Sequence, residues 1–124
     1  MVLVIGGHGQ GKLEYVKRRY QVCDGDVACA LGENRVVCPL HEFIRAMEDV
    51  SQAEAAVLSH CAGHPDAIYI CDEVGCGVVP ADPAERLWRE AVGRTCVALA
   101  KRARRVERVF CGIPMVIKDG GAEH

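Results

Sequence analysis

Apolar residues gather in short continuous runs that alternate with stretches of helical period. Met1 to Ile5 is the first run and ends in a glycine-rich stretch, which predicts a buried strand. Lys12 to Tyr20 follows, with Leu13, Val16 and Tyr20 at helical spacing. Gln21 to Asn34 contains Gly25 and Gly32 and keeps no period, so it reads as loop with room for a short strand. Arg35 to Cys38 predicts a second buried strand, stopped by Pro39. Leu40 to Cys61 reads as helix, with apolar stripes from Phe43, Ile44, Met47, Val57, Leu58 and Cys61. Ser51 with Glu54 three residues later fits a capping box and divides this stretch into two helices.

Ala67 to Cys71 is a third strand, rich in β-branched residues. Asp82-Pro83-Ala84-Glu85 opens the clearest helix, with an acidic cap, proline in the first turn and a capping-box glutamate. Its buried face is predicted to be Trp88, Val92, Cys96, Leu99 and Ala103. Val106 to Cys111 is the last predicted strand, closed by Gly112-Ile113-Pro114. Buried strands alternating with helices form a parallel sheet covered on both faces. The predicted fold class is therefore α/β.

The chain has 124 residues and a mass of 13.4 kDa, which suits one domain over residues 1–124. Aromatic residues make up only 5%, so the core must come mainly from Val, Leu, Ile and Ala. Lys plus Arg number 15 against 17 Asp plus Glu, and the net charge of -2 excludes a generally basic nucleic-acid coat. The opening MVLVIGG has no basic segment, and its apolar run is far too short for a signal peptide or a membrane span. Eight cysteines occur without any C-x-x-C pair. The expectation is a cytoplasmic protein with reduced, mostly buried thiols. His60-Cys61-x-x-His64 has no second ligand pair and reads as a polar helix end and loop.

Gly6-Gly7-His8-Gly9-Gln10-Gly11-Lys12 matches G-x-x-x-x-G-K between a predicted strand and a predicted helix. Glycines let successive N–H groups turn inward around an anion, the helix N-terminus adds partial positive charge, and Lys12 adds a full one. Gly6, Gly7, His8, Gly9, Gln10, Gly11, Lys12 and Leu13 are thus the candidate nucleotide-binding residues, and the sheet is of the P-loop type. Leu13 stands where a Ser or Thr hydroxyl would ligate Mg²⁺, and it cannot do so. Asp72-Glu73 follows the third strand, at the carboxyl edge where open α/β sheets take ligands. An acid pair there can hold Mg²⁺ and orient an attacking hydroxyl.

The run Glu73-Val74-Gly75-Cys76-Gly77-Val78-Val79-Pro80 resembles the E-V-G-x-G-[IV]-V-P signature of the adenosylcobinamide kinase/adenosylcobinamide-phosphate guanylyltransferase family. Gly6-Gly7 with Gly11-Lys12 is similar to the family's G-G-x-x-x-G-K-S loop. Arg86, Arg89-Glu90 and Gly93-Arg94 resemble its R-x-[FW]-R-[DE]-x-x-G-R helix, and Val109 to Lys118 its closing strand, Gly-x-Pro and terminal Lys. The resemblance covers residues 1–20 and 67–118. It implies an enzyme that phosphorylates the aminopropanol hydroxyl of adenosylcobinamide and then moves GMP onto that phosphate through a histidine. The departures lie in the middle: Gln21 to Arg35 contains no histidine, and the family's D-C-L segment corresponds to Val37-Cys38-Pro39-Leu40, where the Asp is missing. His41 is the nearest histidine and reads as a polar residue at a helix start. The family also has Asn where this chain has Asp72.

These observations lead to a nucleotide-dependent kinase of corrinoid (cobalamin) biosynthesis whose guanylyltransferase half is lost. Lys12 and Glu73 are its candidate catalytic residues and Asp72 its Mg²⁺ anchor. GTP or ATP is the phosphoryl donor. Nucleoside triphosphate and corrinoid are the expected partners, with homo-oligomerisation left open and neither nucleic acid nor a membrane span expected. The alternative is a catalytically silent P-loop module that binds nucleotide or corrinoid for regulation, which Leu13 favours. Lys101, Arg102, Arg104, Arg105 and Arg108 read as cations complementing a helix C-terminus.

Overall fold

The computed structural model describes residues 1–74 and 81–120, so Gly75 to Pro80 of the signature lie outside the described residues. One six-stranded sheet carries the architecture, in the order β2-β3-β4-β1-β5-β6. β1 (Val2–Gly6) lies between β4 (Ile68–Asp72) and β5 (Arg105–Phe110) and runs parallel to both. β3 (Val36–Val37) and β2 (Val27–Ala28) extend the parallel set beyond β4. β6 (Ile113–Asp119) closes the other edge antiparallel to β5.

The helices are α1 (Lys12–Tyr20), α2 (Leu40–Arg45), α3 (Ala53–Gly63) and α4 (Pro83–Arg102). Successive strand residues point to opposite faces. Leu3, Val37, Tyr69, Cys71 and Val106 therefore share one core with Leu40, Ile44, Val57, Trp88, Val92 and Leu99. Val2, Val4, Val36, Ile68, Ile70 and Val109 share the other with Tyr15 and Val16. Burial on both faces explains why β1, β3 and most of β4 are apolar runs, whereas β5 sets Arg105, Glu107 and Arg108 among its buried valines. Each wholly buried Leu or Ile contributes roughly 1.5–3 kcal/mol. The α/β fold and the two covered faces are as the pattern predicts.

α1 is tied to the sheet by a buried polar contact. The fully buried Glu107 on β5 accepts from the Tyr15 hydroxyl and, at 2.6 Å, from the Tyr20 hydroxyl. Burial, reinforced by Glu107, pushes the Tyr15 hydroxyl up to about 12, so it stays a donor. α4 starts as its sequence indicates: the Asp82 carboxylate accepts from Ala84 N at 2.9 Å, with Pro83 in the first turn. Its predicted face is buried at Trp88, Val92, Leu99 and Ala103, while Cys96 is half-buried at the rim of the same core.

Three expectations are corrected. The chain does not close after Cys111. Cys111 (φ 51) and Gly112 (φ 75) form a two-residue turn with both residues at positive φ, the geometry that matches strand twist, and β6 follows. Pro114 is compatible with β6 because an edge strand leaves backbone donors unused. Ser51 does not cap α3: Asp49 accepts from Ser51 N at 3.0 Å and from Ser51 Oγ at 2.6 Å, and a short 3₁₀ turn, Val50–Gln52, leads into the helix. Most described cysteines are also not buried. Cys71 is, whereas Cys38, Cys61 and Cys96 are half-buried and Cys23, Cys29 and Cys111 exposed, because the exposed ones lie in turns and strand ends outside the apolar faces. All seven are free thiols. No helix among the described residues is long and apolar enough to cross a membrane.

Candidate functional site

The loop from Gly6 to Gly11 joins the carboxyl end of β1 to α1. Gly9 (φ 71) and Gly11 (φ 86) take left-handed backbone that L side chains rarely adopt. A Cβ on Gly6 would stand 2.5 Å from the Val109 carbonyl oxygen, so glycine is what lets β1 leave the sheet beside β5. Gln10 fastens the loop to the β5–β6 turn. Its side-chain oxygen accepts from Cys111 N at 2.6 Å and its carbonyl from Gly112 N at 2.8 Å. His8 stands at the exposed tip, and Leu13 is half-buried against the α1 core.

Lys12 turns back over the end of β1. Its ammonium donates to Gly7 O at 2.7 Å and lies 2.7 Å from Asp72 Oδ1. The meeting follows from topology, because Asp72 is in register with Gly6 on the adjacent strand. Asp72 Oδ2 lies 3.3 Å from His41 Nε2 and 3.4 Å from His8 Nδ1. Burial would raise the Asp72 carboxyl, but the Lys12 hydrogen bond, with His41 and His8, outweighs it and holds the carboxyl below its ordinary range.

His41 is buried at the start of α2. Its Nδ1 accepts from Asp72 N at 3.1 Å, which leaves the proton of the neutral ring on Nε2, facing the Asp72 carboxylate. Its carbonyl accepts from Trp88 Nε1 at 2.9 Å, so α4 fixes the turn that presents the ring. Burial lowers the His41 basicity despite Asp72 and Glu42 nearby. The imidazole is a neutral partner at neutral pH.

Glu73 follows at the end of β4, its N–H bound to Gly6 O at 2.9 Å. Its carboxylate faces the other sheet neighbour of β1. Arg108 Nε is 2.9 Å from Oε1 and Nη2 donates to Oε2 at 3.0 Å, a two-bonded fork. Lys12, Asp72 and Glu73 are thus brought to one sheet edge together with the Gly6–Gly11 loop, the crevice where open α/β sheets take ligands.

The sequence reading gave no site role to His41 or Arg108. His41 follows Pro39-Leu40 directly after a strand, and that position at the carboxyl edge was its available signal. In the sequence Arg108 reads as one of the cations after α4, yet it and Arg105 lie on β5. Arg105 instead pairs with Asp119 at 2.9 Å, and Lys118 Nζ donates to the Ala100 and Lys101 carbonyls at the end of α4. His60 and His64 serve the fold: His60 bonds to the Tyr69 hydroxyl and Gly32 O, and His64 to His60 O and Glu33.

Residues 31–117, about seven-tenths of the chain, match the family model described as cobinamide kinase / cobinamide phosphate guanyltransferase. His41, Asp72, Glu73 and Arg108 fall within the match, and the Gly6–Leu13 loop precedes it. No curated protein matches the chain.

Proposed function

The chain belongs to the cobinamide kinase / cobinamide phosphate guanyltransferase family, and on that premise we propose that it is a kinase of cobalamin biosynthesis that has lost the guanylyl half. It transfers the γ-phosphoryl group of GTP or ATP to the aminopropanol hydroxyl of adenosylcobinamide. The observation that carries this reading is the Lys12–Asp72 contact of 2.7 Å beside Glu73, at the mouth of the glycine loop.

In this reading the nucleotide phosphates lie against the N–H groups of Gly6 to Leu13, at the α1 N-terminus. The Lys12 ammonium, already aimed over the loop, exchanges its Asp72 contact for phosphate oxygens. Glu73 accepts the hydrogen bond of the substrate hydroxyl and orients its oxygen for in-line attack. Phosphoryl transfer asks the protein mainly for positioning and charge stabilisation, which these groups supply without a covalent intermediate.

Asp72 is the carboxylate suited to Mg²⁺. It offers hard oxygen donors at the loop mouth, and Mg²⁺ is commonly held by one or two carboxylates plus substrate phosphates and waters. No cluster of three or more His, Cys, Asp or Glu suited to a metal occurs among the described residues, so Asp72 fits that sparse mode and not an all-protein cage. When bound, Mg²⁺ would neutralise charge on the phosphates.

Three of the histidines support the loss of the guanylyl half, while His8 stays exposed at the tip of the glycine loop. His41 has both ring nitrogens turned to Asp72, and His60 and His64 are bonded within the fold. Leu13 favours a second reading, a module that binds nucleotide without turnover. An assay of adenosylcobinamide phosphorylation by the full chain with GTP or ATP separates the two. Turnover supports the kinase, whereas nucleotide binding without turnover supports the silent module.

A further inference from the structure

We propose that Arg108 is a positioning residue for phosphoryl transfer, holding Glu73 so that one edge of its carboxylate is reserved for the substrate hydroxyl. This inference rests on the kinase reading and adds to it a residue from the far side of β1.

Arg108 is paired in register with Ile5 on β1, and Ile5 with Cys71 on β4. Its guanidinium therefore reaches across the end of β1 to Glu73, two residues beyond Cys71. The fork uses both Glu73 oxygens, at 2.9 and 3.0 Å. An ionised carboxylate has about four lone-pair sites, so a two-bonded arginine leaves the outer ones free to accept. The fork also fixes the carboxylate plane, which a single-point lysine contact would not do. The Glu73 backbone is independently held by Gly6 O. Main chain and side chain of Glu73 are thus anchored to the two strands flanking the loop, β1 and β5. The Arg108 side chain remains 43% exposed and the Glu73 side chain 22%, so the pair stands at the rim of the crevice and not within either core. Solvent at the rim screens the charges, so the value of the fork lies more in orientation than in stability. Its two-point geometry is what a hydroxyl-orienting carboxylate requires.

The test compares the parent, Arg108→Ala, Arg108→Lys and Glu73→Gln as full-length chains. It measures kcat and KM for adenosylcobinamide, nucleotide affinity by direct binding, and recovery of activity by added guanidinium. Arg108→Ala is expected to lower kcat about 10- to 100-fold, the scale of a misplaced reacting group, with nucleotide affinity unchanged. Guanidinium should restore part of that loss in Arg108→Ala and none in Glu73→Gln. Arg108→Lys, which keeps charge and bulk and so guards against a folding defect, should retain the kcat deficit. Parental kcat in Arg108→Ala, or in Arg108→Lys, overturns the positioning role while leaving the kinase intact. A parent without turnover overturns both. A deficit in Arg108→Ala that guanidinium does not relieve also contradicts the role.

Discussion

Replacing Lys12 by Met tests whether the site is a mutually held charge pair. Methionine keeps an unbranched apolar stem in a place where the lysine side chain is 8% exposed, and removes only the ammonium. The Asp72 carboxylate, 17% exposed, then loses its 2.7 Å partner and keeps His41 and His8. Stranding one member of a wholly buried pair costs about 3–5 kcal/mol. The residual exposure and the His41 contact bring the expectation for Lys12→Met down to about 2–3 kcal/mol. Asp72→Asn leaves an amide oxygen for Lys12 and should cost about 1–2 kcal/mol. The double variant strands neither charge, so it should be more stable than the sum of the singles implies, by about 1–2 kcal/mol. Urea unfolding of the four chains at pH 7 without nucleotide measures this coupling. Additivity within about 0.5 kcal/mol would refute the pair. In nucleotide binding, Lys12→Met should lose affinity by at least an order of magnitude, whereas Asp72→Asn should not.

Glu73→Gln should lower turnover about 100-fold or more with nucleotide affinity nearly intact, measured as kcat against directly determined Kd. Gly6→Ala should destabilise by about 1–3 kcal/mol in urea unfolding, because the new methyl meets the Val109 carbonyl and β1 and β5 must separate. Stability against pH should carry two opposed histidine contributions. Burial lowers His41, so its contribution is present above about pH 6.5 and is lost as pH falls through its folded pKa; His41→Gln should flatten that limb. The bonds to His60 O and Glu33 raise His64, so its contribution is full below about pH 6.5 and is lost as pH rises; the deficit of His64→Ala should shrink in the same direction.

Much of this arrangement was legible in the chain, for identifiable reasons. The β1 and β4 runs are apolar and buried on both faces and so cannot be mistaken for alternating surface strands. Asp82 and Pro83 mark the start of α4 through local chemistry alone. β6 was not legible because Pro114 imitates a stop, and only the edge position makes it compatible with a strand. Its exposed Ile113, Met115, Val116 and Ile117 lack the alternation that signals one buried face. The Asp49 cap was obscured by Ser51, which is the donor to that carboxylate and not the cap itself. In the site, Lys12 and Asp72 follow from motif and strand end. The partners His41 and Arg108 lie 31 and 35 residues from the acids they hold, and no local pattern encodes such a distance.

The kinase assignment is tested most directly by following two labels through one reaction. The full chain is incubated with adenosylcobinamide, Mg²⁺ and nucleotide labelled either at the γ-phosphate or at the α-phosphate. Transfer of the γ-label to the corrinoid, with the α-label entering neither corrinoid nor an acid-labile protein adduct, is the predicted result. An α-labelled adduct that disappears in His41→Ala would contradict the loss of the guanylyl half, and absence of γ-transfer despite bound nucleotide would contradict the kinase.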